Sequence, residues 1–253
     1  MLFGHTDKLE IFERLVAGEA LGHAYLFYGD VAIGKAHFAK LLAYRLEYGN
    51  FEIMTEPLID TAWFEPDEKG TIGIGKIRDI KNFLWQTPLR SKKRLVVVDN
   101  AETLTDDAQG ALLKIVEEPP AHGTIIFIAH DAQVLVGPLL SRLSKIYFSR
   151  LARREIEKVL VGHFKLTAAR AKTVALKSFG RIGRAIGIIN GKIEEVPSFE
   201  RDIEEKIIEL WTGDKIRNAK KLAWLIDRES SVKKFNLNQN LQRKAVEYKI
   251  SHD

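Results

Sequence analysis

The stretch GDVAIGKA at residues 29–36 decides the fold. It has the spacing G-x-x-x-x-G-K and lies between an apolar run at 25–28 and a helical apolar pattern at 38–46. In that context the two glycines let backbone N–H groups surround a phosphate, the start of the helix favours its negative charge, and Lys35 adds a cation. The sequence therefore predicts a phosphate-binding loop, against the simpler alternative of a tight strand-to-helix turn.

The chemistry around this loop is incomplete. Ala36 stands where such loops carry a Ser or Thr whose hydroxyl binds Mg²⁺, and an alanine supplies no ligand. The apolar run at 95–98 ends in Asp99, which is expected at the same edge of the sheet as the loop, but Asn100 follows where hydrolysing enzymes usually have a Glu. The candidate nucleotide-binding residues in this half of the chain are Gly29, Gly34, Lys35, Ala36 and Asp99.

The apolar pattern along the first 150 residues predicts the fold class. Turn residues bound five candidate strands, at 25–28, 58–61, 95–98, 124–129 and 146–148. Helical patterns lie between them, at 38–46, at 74–85 and from an N-cap at Thr105 to Pro119. Strands that alternate with helices predict an α/β fold, a parallel sheet flanked by helices.

Beyond residue 150 the pattern turns helical. We predict three parts: a nucleotide-binding-fold domain at 1–150, a small helical lid domain at 151–196 and a short helical C-terminal segment at 197–253. Within the last part, helices are expected at 199–211 and 216–226.

Composition and charge exclude several classes of protein. With 45% hydrophobic and 29% charged residues and no cysteine, the chain is expected to fold without disulfides, and we predict no metal site. It has no run of 18 apolar residues and no signal-like start, so we expect a cytoplasmic protein without a membrane partner. The net charge is −3 over 1–150 (17 basic, 20 acidic) and +8 over 151–253 (22 basic, 14 acidic). The basic half faces nucleic acid or simply coats solvated helix faces, and both interpretations stay open.

Several short motifs carry a family resemblance. In chain order they are HAYLF at 23–27, IGIGKIR at 72–78 with QTPL at 86–89, ALLKIVEEPP at 111–120 and LLSRL at 139–143. Together they span most of the first 150 residues. In these motifs the chain resembles the delta-prime subunits of bacterial sliding-clamp loaders, which are AAA+ proteins of the DNA polymerase III holoenzyme.

The resemblance implies roles for two arginines. Arg142 matches the arginine finger of the family's S-R-C motif, which reaches into the ATP site of a neighbouring subunit and stabilises charge on the transferred phosphoryl group. GRA at 183–185 resembles the sensor-2 motif, which implies that Arg184 lies near the nucleotide phosphates. The implied partners are gamma/tau-type and delta-type subunits, with the sliding clamp and primer–template DNA reached through the complex.

The chain also departs from the family. Residues 47–60 contain no cysteine, so the family's zinc module is absent, and Leu143 replaces the cysteine of the S-R-C motif. The sensor-1 position falls on Ala129, with His130 beside it, and neither is the usual residue. The segment after Pro197 is shorter than the family's collar domain.

Three functions are compatible with this pattern. The first is a stator: a non-catalytic subunit without ATPase activity of its own that donates Arg142 to a neighbour. It requires no cofactor, and ATP or ADP with Mg²⁺ would be weak ligands of its loop. The second is a weakly active clamp-loader ATPase, because Lys35 and Asp99 remain. The third is a P-loop interaction module outside replication.

Overall fold

The protein contains one five-stranded parallel sheet. The computed structural model describes residues 2–191 and 218–235, together with separate positions within 203–211 and 242–249. The strands lie in the order β2-β3-β4-β1-β5, and every neighbouring pair is parallel. They are β1 (Ala24–Tyr28), β2 (Thr61–Phe64), β3 (Arg94–Val98), β4 (Gly123–Ala129) and β5 (Ser144–Tyr147). The predicted α/β fold with a helix-flanked parallel sheet is confirmed.

Nine helices accompany the sheet in the part of the chain that the structure describes. They are α1 (Thr6–Ala17), α2 (Lys35–Tyr48), α3 (Ile74–Leu84), α4 (Asp106–Glu117), α5 (Gly137–Leu140), α6 (Arg153–Gly162), α7 (Ala168–Lys177), α8 (Ile182–Ile189) and α9 (Ala219–Phe235). Short 3₁₀ turns lie at Ala101–Thr103 and Ala132–Val134. None of these helices combines the length and the apolar character needed to cross a membrane.

The predicted cap of α4 is confirmed. The Thr105 side chain accepts a hydrogen bond from the Ala108 N–H at 3.2 Å, which satisfies one of the free amides of the first turn. Asp106 and Asp107 add negative charge where the helix dipole favours it. The helix ends at Glu117, two residues before the Pro119 that forbids its continuation.

The three central strands β3, β4 and β1 are buried on both faces, because nearly all of their residues are apolar. Leu26 points into the core beneath α3 and α4, and the next residue, Phe27, points into the core beneath α1 and α2. The second core is aromatic, since the rings of Phe12, Phe38 and Phe148 pack around Phe27 at 5.3–5.6 Å. These two cores hold the strand ends that carry the site in fixed register.

The predicted second strand is displaced. The sequence predicts it at 58–61, whereas β2 begins at Thr61 and runs to Phe64, so that prediction was wrong. The cause is the buried carboxylate of Glu47 on α2, which accepts the N–H of Ile59 at 2.7 Å and the N–H of Asp60 at 3.0 Å. Because these amides are bonded to a side chain, the segment before residue 61 is fixed to α2 instead of starting the strand.

The connection from α2 to β2 is held by α2 itself. The Tyr44 hydroxyl donates to the carbonyls of Met54 at 2.8 Å and Glu56 at 3.1 Å, and the Tyr48 hydroxyl donates to Pro57 O at 2.8 Å. This stretch contains no cysteine. Here, tyrosine hydroxyls and the Glu47 carboxylate fasten it.

The helices after the sheet have a core of their own. Buried residues of α6, α7 and α8 form it, among them Ile156, Leu160, Val174 and Ile182. The helix predicted at 199–211 lies mostly outside the described residues. The helix predicted at 216–226 begins at Ala219 and continues to Phe235, and its second half lacks the apolar period that the prediction used.

Candidate functional site

The loop between β1 and α2 is shaped by backbone conformations that favour glycine. Gly29 has φ 136° and Gly34 has φ 105°, and Ala32 between them also has a positive φ of 62°. A Cβ on residue 29 would lie 2.3 Å from the carbonyl oxygen of Phe148, so a side chain is excluded there. The glycine spacing noted in the sequence is therefore required by the path of the chain.

Lys35 opens α2 and is buried against its own loop. Its Nζ donates to the carbonyl oxygens of Gly29 at 2.6 Å and Asp30 at 2.7 Å. Burial lowers the pKa of Lys35, while the carboxylates of Glu102, Asp99 and Asp30 act in the opposite direction. The cation is thus held inward by the carbonyls that a phosphate would have to replace.

The loop borders a cleft of about 290 Å³ at the carboxyl ends of the strands. Four predicted site residues line it, namely Gly34, Lys35, Ala36 and Asp99, and so do the altered positions Asn100 and Ala129. Parallel strands place their carboxyl ends at one edge, which is why residues far apart in sequence meet here. Arg142 and Arg184 are not among the lining residues.

Asp99 lies at the end of β3 and is tied to the following backbone. Its Oδ1 accepts the N–H of Asn100 at 2.9 Å. Burial raises the pKa of Asp99, and the charges of Glu65 and Glu102 act in the same direction, against the Asn100 N–H and Lys35.

The donor set does not fit a hydrolysing magnesium–nucleotide site. Ala36 offers no side-chain oxygen, Asn100 offers no carboxylate, and burial raises the pKa of Asp99. Among the residues that the structure describes, no group of three or more His, Cys, Asp or Glu side chains is placed to hold a metal ion.

The cleft contains a carboxylate that sequence reasoning missed. Glu102 lies in the 3₁₀ turn after β3, and its Oε1 is 2.8 Å from Nδ1 of His130, the residue after β4. Its Oε2 is buried and has no hydrogen-bond partner within the described residues. The sequence shows an acidic residue three positions after Asp99, but only the 3₁₀ turn in the structure shows that Glu102 lines the cleft.

The start of α8 contacts the loop through its backbone. The N–H of Gly183 donates to the carbonyl of Ala32 at 2.8 Å, and a Cβ on residue 183 would lie 2.7 Å from that oxygen. The Arg184 guanidinium lies over the Phe179 ring, 5.8 Å from its centroid. In the GRA motif it is therefore the glycine that meets the loop, a role that sequence reasoning did not assign.

Arg142 lies in the turn after α5, about two-fifths exposed. Its Nη2 is 2.6 Å from Oε1 of Glu117, the last residue of α4, and its Nη1 donates to the Pro138 carbonyl at 2.7 Å. The predicted finger is thus an accessible guanidinium oriented by two neighbours, outside the cleft of its own chain.

The buried side chain of His5 is hydrogen-bonded to the loop. The Nε2 of His5 is 3.2 Å from the Ile33 carbonyl oxygen, so this nitrogen carries the hydrogen, and the ring packs edge-on against Phe148. Burial lowers the pKa of His5, helped by the charge of Lys8 and opposed by the bond to Ile33. Protonation therefore works against the folded state.

We expect the folded protein to lose stability as the pH is lowered, because His5 then becomes protonated. Because its folded pKa is below the ordinary 6.5, its contribution is present above pH 6.5 and is lost as the pH falls through the folded value. Denaturant unfolding between neutral and mildly acid pH will show a steeper loss in the wild type than in His5→Asn. Asparagine does not titrate and tolerates the positive φ of 57° at this position. Equal slopes would contradict the assignment.

The comparisons with known proteins agree with this geometry. Two solved structures from Thermotoga maritima share the fold. One is a DNA polymerase III gamma subunit-related protein (TM-score 0.57, 20% identity, 95% of this chain and 97% of that one). The other is a RuvB variant (TM-score 0.54, 14% identity, 94% and 71%). At these identities the likeness concerns the fold alone, and it confirms the predicted P-loop architecture.

Curated relatives are subunits of DNA polymerase III. The gamma/tau subunit of Mycoplasma pneumoniae is 27% identical over 62% of this chain and 24% of its own length. The delta-prime subunit of Bacillus subtilis is 28% identical over 60% of this chain and 50% of its own length. The chain thus spans half or less of these two relatives. Residues 4–152, more than half of the chain, match the family model described as DNA polymerase III, delta subunit. The chain belongs to this family, as its motifs predicted.

Proposed function

We propose that the chain is a delta-prime-like subunit of the sliding-clamp loader in DNA replication. In this role it does not hydrolyse ATP itself and supplies Arg142 to a neighbouring ATPase subunit. Gamma/tau-type and delta-type subunits are its direct partners, and it meets the sliding clamp and primer–template DNA as part of the complex.

The observation that carries this proposal is the donor set of the cleft. Ala36, Asn100 and Ala129 stand together where a hydrolysing site needs a magnesium ligand, a water-polarising carboxylate and a polar sensor. Lys35 is bonded to the carbonyls of its own loop. ATP or ADP with Mg²⁺ is at most a weak ligand of such a site.

The position of Arg142 supports the second half of the proposal. A finger that works in another subunit has to be accessible and lie outside its own site, as this guanidinium does. Its present partner, Glu117, is an exposed carboxylate, so the pair is weak and a phosphate can replace the carboxylate.

A weakly active clamp-loader ATPase is the second candidate. It is favoured by one observation, the carboxylate of Glu102 in the same cleft as Lys35 and Asp99. The third possibility, an interaction module outside replication, finds no support in a match that covers residues 4–152.

ATP turnover by the purified chain separates the first two candidates. With Mg²⁺ present, we expect the wild type to hydrolyse ATP no faster than Lys35→Ala, because the missing ligands leave no organised metal or water in the cleft. Release of phosphate in a coupled assay is the measurement. A clear rate that Lys35→Ala abolishes would select the weak ATPase instead.

A further inference from the structure

The cleft carries more negative charge than its phosphate loop would suggest. Lys35 shares the cleft with two carboxylates, Asp99 and Glu102, and of the charges that act on this lysine Glu102 has the largest effect. These carboxylates already neutralise the positive charge of Lys35, so the lysine attracts the negatively charged phosphates of a nucleotide less strongly.

We propose that Glu102 is a specificity-determining residue of this cleft, an internal counter-charge to Lys35 that excludes anionic phosphates. The inference concerns binding alone and does not depend on the role of the chain as a subunit.

Glu102 is held in place from two sides. Its turn is fixed by the Thr103 carbonyl, which accepts the N–H of Ile72 at 2.9 Å, and by Ala101, which is fully buried. The His130 ring fixes the carboxylate itself through Oε1. A phosphate that approaches Lys35 therefore meets a carboxylate that cannot simply turn away into solvent.

The other oxygen explains why the carboxylate prefers a cation nearby. A buried carboxylate oxygen without a hydrogen bond is costly, and a neighbouring positive charge offsets that cost. Lys35 is such a charge, since the two groups act on each other across the cleft. Drawing Lys35 onto a phosphate removes this compensation.

A bound Mg²⁺ does not offset the repulsion between Glu102 and the phosphates in this cleft. In a complete loop a bound Mg²⁺ neutralises part of the phosphate charge and is held in part by the hydroxyl after the lysine. Ala36 lacks that hydroxyl, so the charge of Glu102 is felt by the nucleotide without a well-held cation between them.

The test is a titration of the purified chain with ADP in the presence of excess EDTA, followed by calorimetry. Glu102→Gln removes the charge but keeps an oxygen that accepts from His130. We expect it to bind ADP about tenfold more tightly than the wild type, or about 1.4 kcal/mol. Adding Lys35→Ala to Glu102→Gln should abolish the gain, because the phosphate then has no cation to meet.

Glu65→Gln is the matched control. It also removes one carboxylate charge near Asp99, but Glu65 is not among the charges that act on Lys35, so we expect ADP affinity to stay within about twofold of the wild type. A gain of the same size in Glu65→Gln would overturn the proposal in favour of a general charge effect. Unchanged or weaker binding by Glu102→Gln would also overturn it, as would the absence of ADP binding by both wild type and variant at millimolar concentration. Thermal unfolding of each variant checks the fold.

Discussion

In the role proposed for Arg142, its replacement by alanine should slow ATP hydrolysis about a thousandfold at the neighbouring subunit's site, the lower end of the range for arginine fingers. The guanidinium is oriented by Glu117 and Pro138 but stays accessible, so it can exchange its carboxylate partner for a transferred phosphoryl group. In the proposed role, its loss removes positive charge from the point where negative charge develops in the transition state.

The measurement uses an assembly of this chain with gamma/tau-type and delta-type subunits, the clamp and primed DNA. Gel filtration first shows that Arg142→Ala assembles like the wild type, and single-turnover hydrolysis then resolves the slow site. Arg153→Ala is the matched control, because Arg153 is an equally exposed arginine paired with a carboxylate, Glu157, at 2.8 Å on α6. A normal rate in an assembled Arg142→Ala complex would remove the arginine from the mechanism, and failure of the wild type to assemble would contradict the proposed role.

Asp60→Ala is expected to lower the free energy of unfolding by about 3–5 kcal/mol, the range for breaking a buried ion pair by removing one partner. Asp60 is solvent-inaccessible and accepts the backbone N–H groups of Leu89, Arg90 and Ser91 at 2.7–2.8 Å. Its Oδ1 is also 3.6 Å from the buried guanidinium of Arg94. The substitution leaves three amides without their acceptor and removes the counter-charge of Arg94, whose guanidinium still donates to two backbone carbonyls.

The same carboxylate has a defined pH dependence. Burial acts to raise the pKa of Asp60, but the three amides and Arg94 outweigh it and hold the pKa below 3.8. Its contribution is therefore present above pH 3.8 and is lost as the pH falls through the lower folded value. Urea unfolding measures both effects. Asp67→Ala is the control, because Asp67 also accepts two backbone N–H groups but is exposed, and its loss should cost far less. Equal losses would refute the importance of burial.

The parts of the fold that could be predicted are those with a local cause. Strand β3 is an unbroken apolar run before Asp99, and α4 has both its cap and its proline stop in the sequence. Strand β2 was misplaced because Glu47, on another element, takes the amides of the segment before it. No pattern within residues 58–61 records that carboxylate.

The candidate site divides in the same way. Lys35, Ala36 and Asp99 could be placed together because a loop and a strand end of a parallel sheet share one edge. Glu102 was missed because its position depends on a 3₁₀ turn, and nothing in the GRA motif shows that the Arg184 guanidinium lies over the ring of Phe179. The direction of each of these side chains depends on turns and packing, which the spacing of residues in the sequence does not predict.

The contact between Gly183 and Ala32 bears on how α8 can move relative to the loop between β1 and α2. The two backbones meet at a hydrogen-bond distance, and a side chain on residue 183 would collide with the Ala32 carbonyl. Residues 32 and 183 therefore cannot slide past each other while the bond is intact. A rotation of α8 relative to the loop would have to break this hydrogen bond, so the contact couples the position of α8 to the carboxyl edge of the sheet.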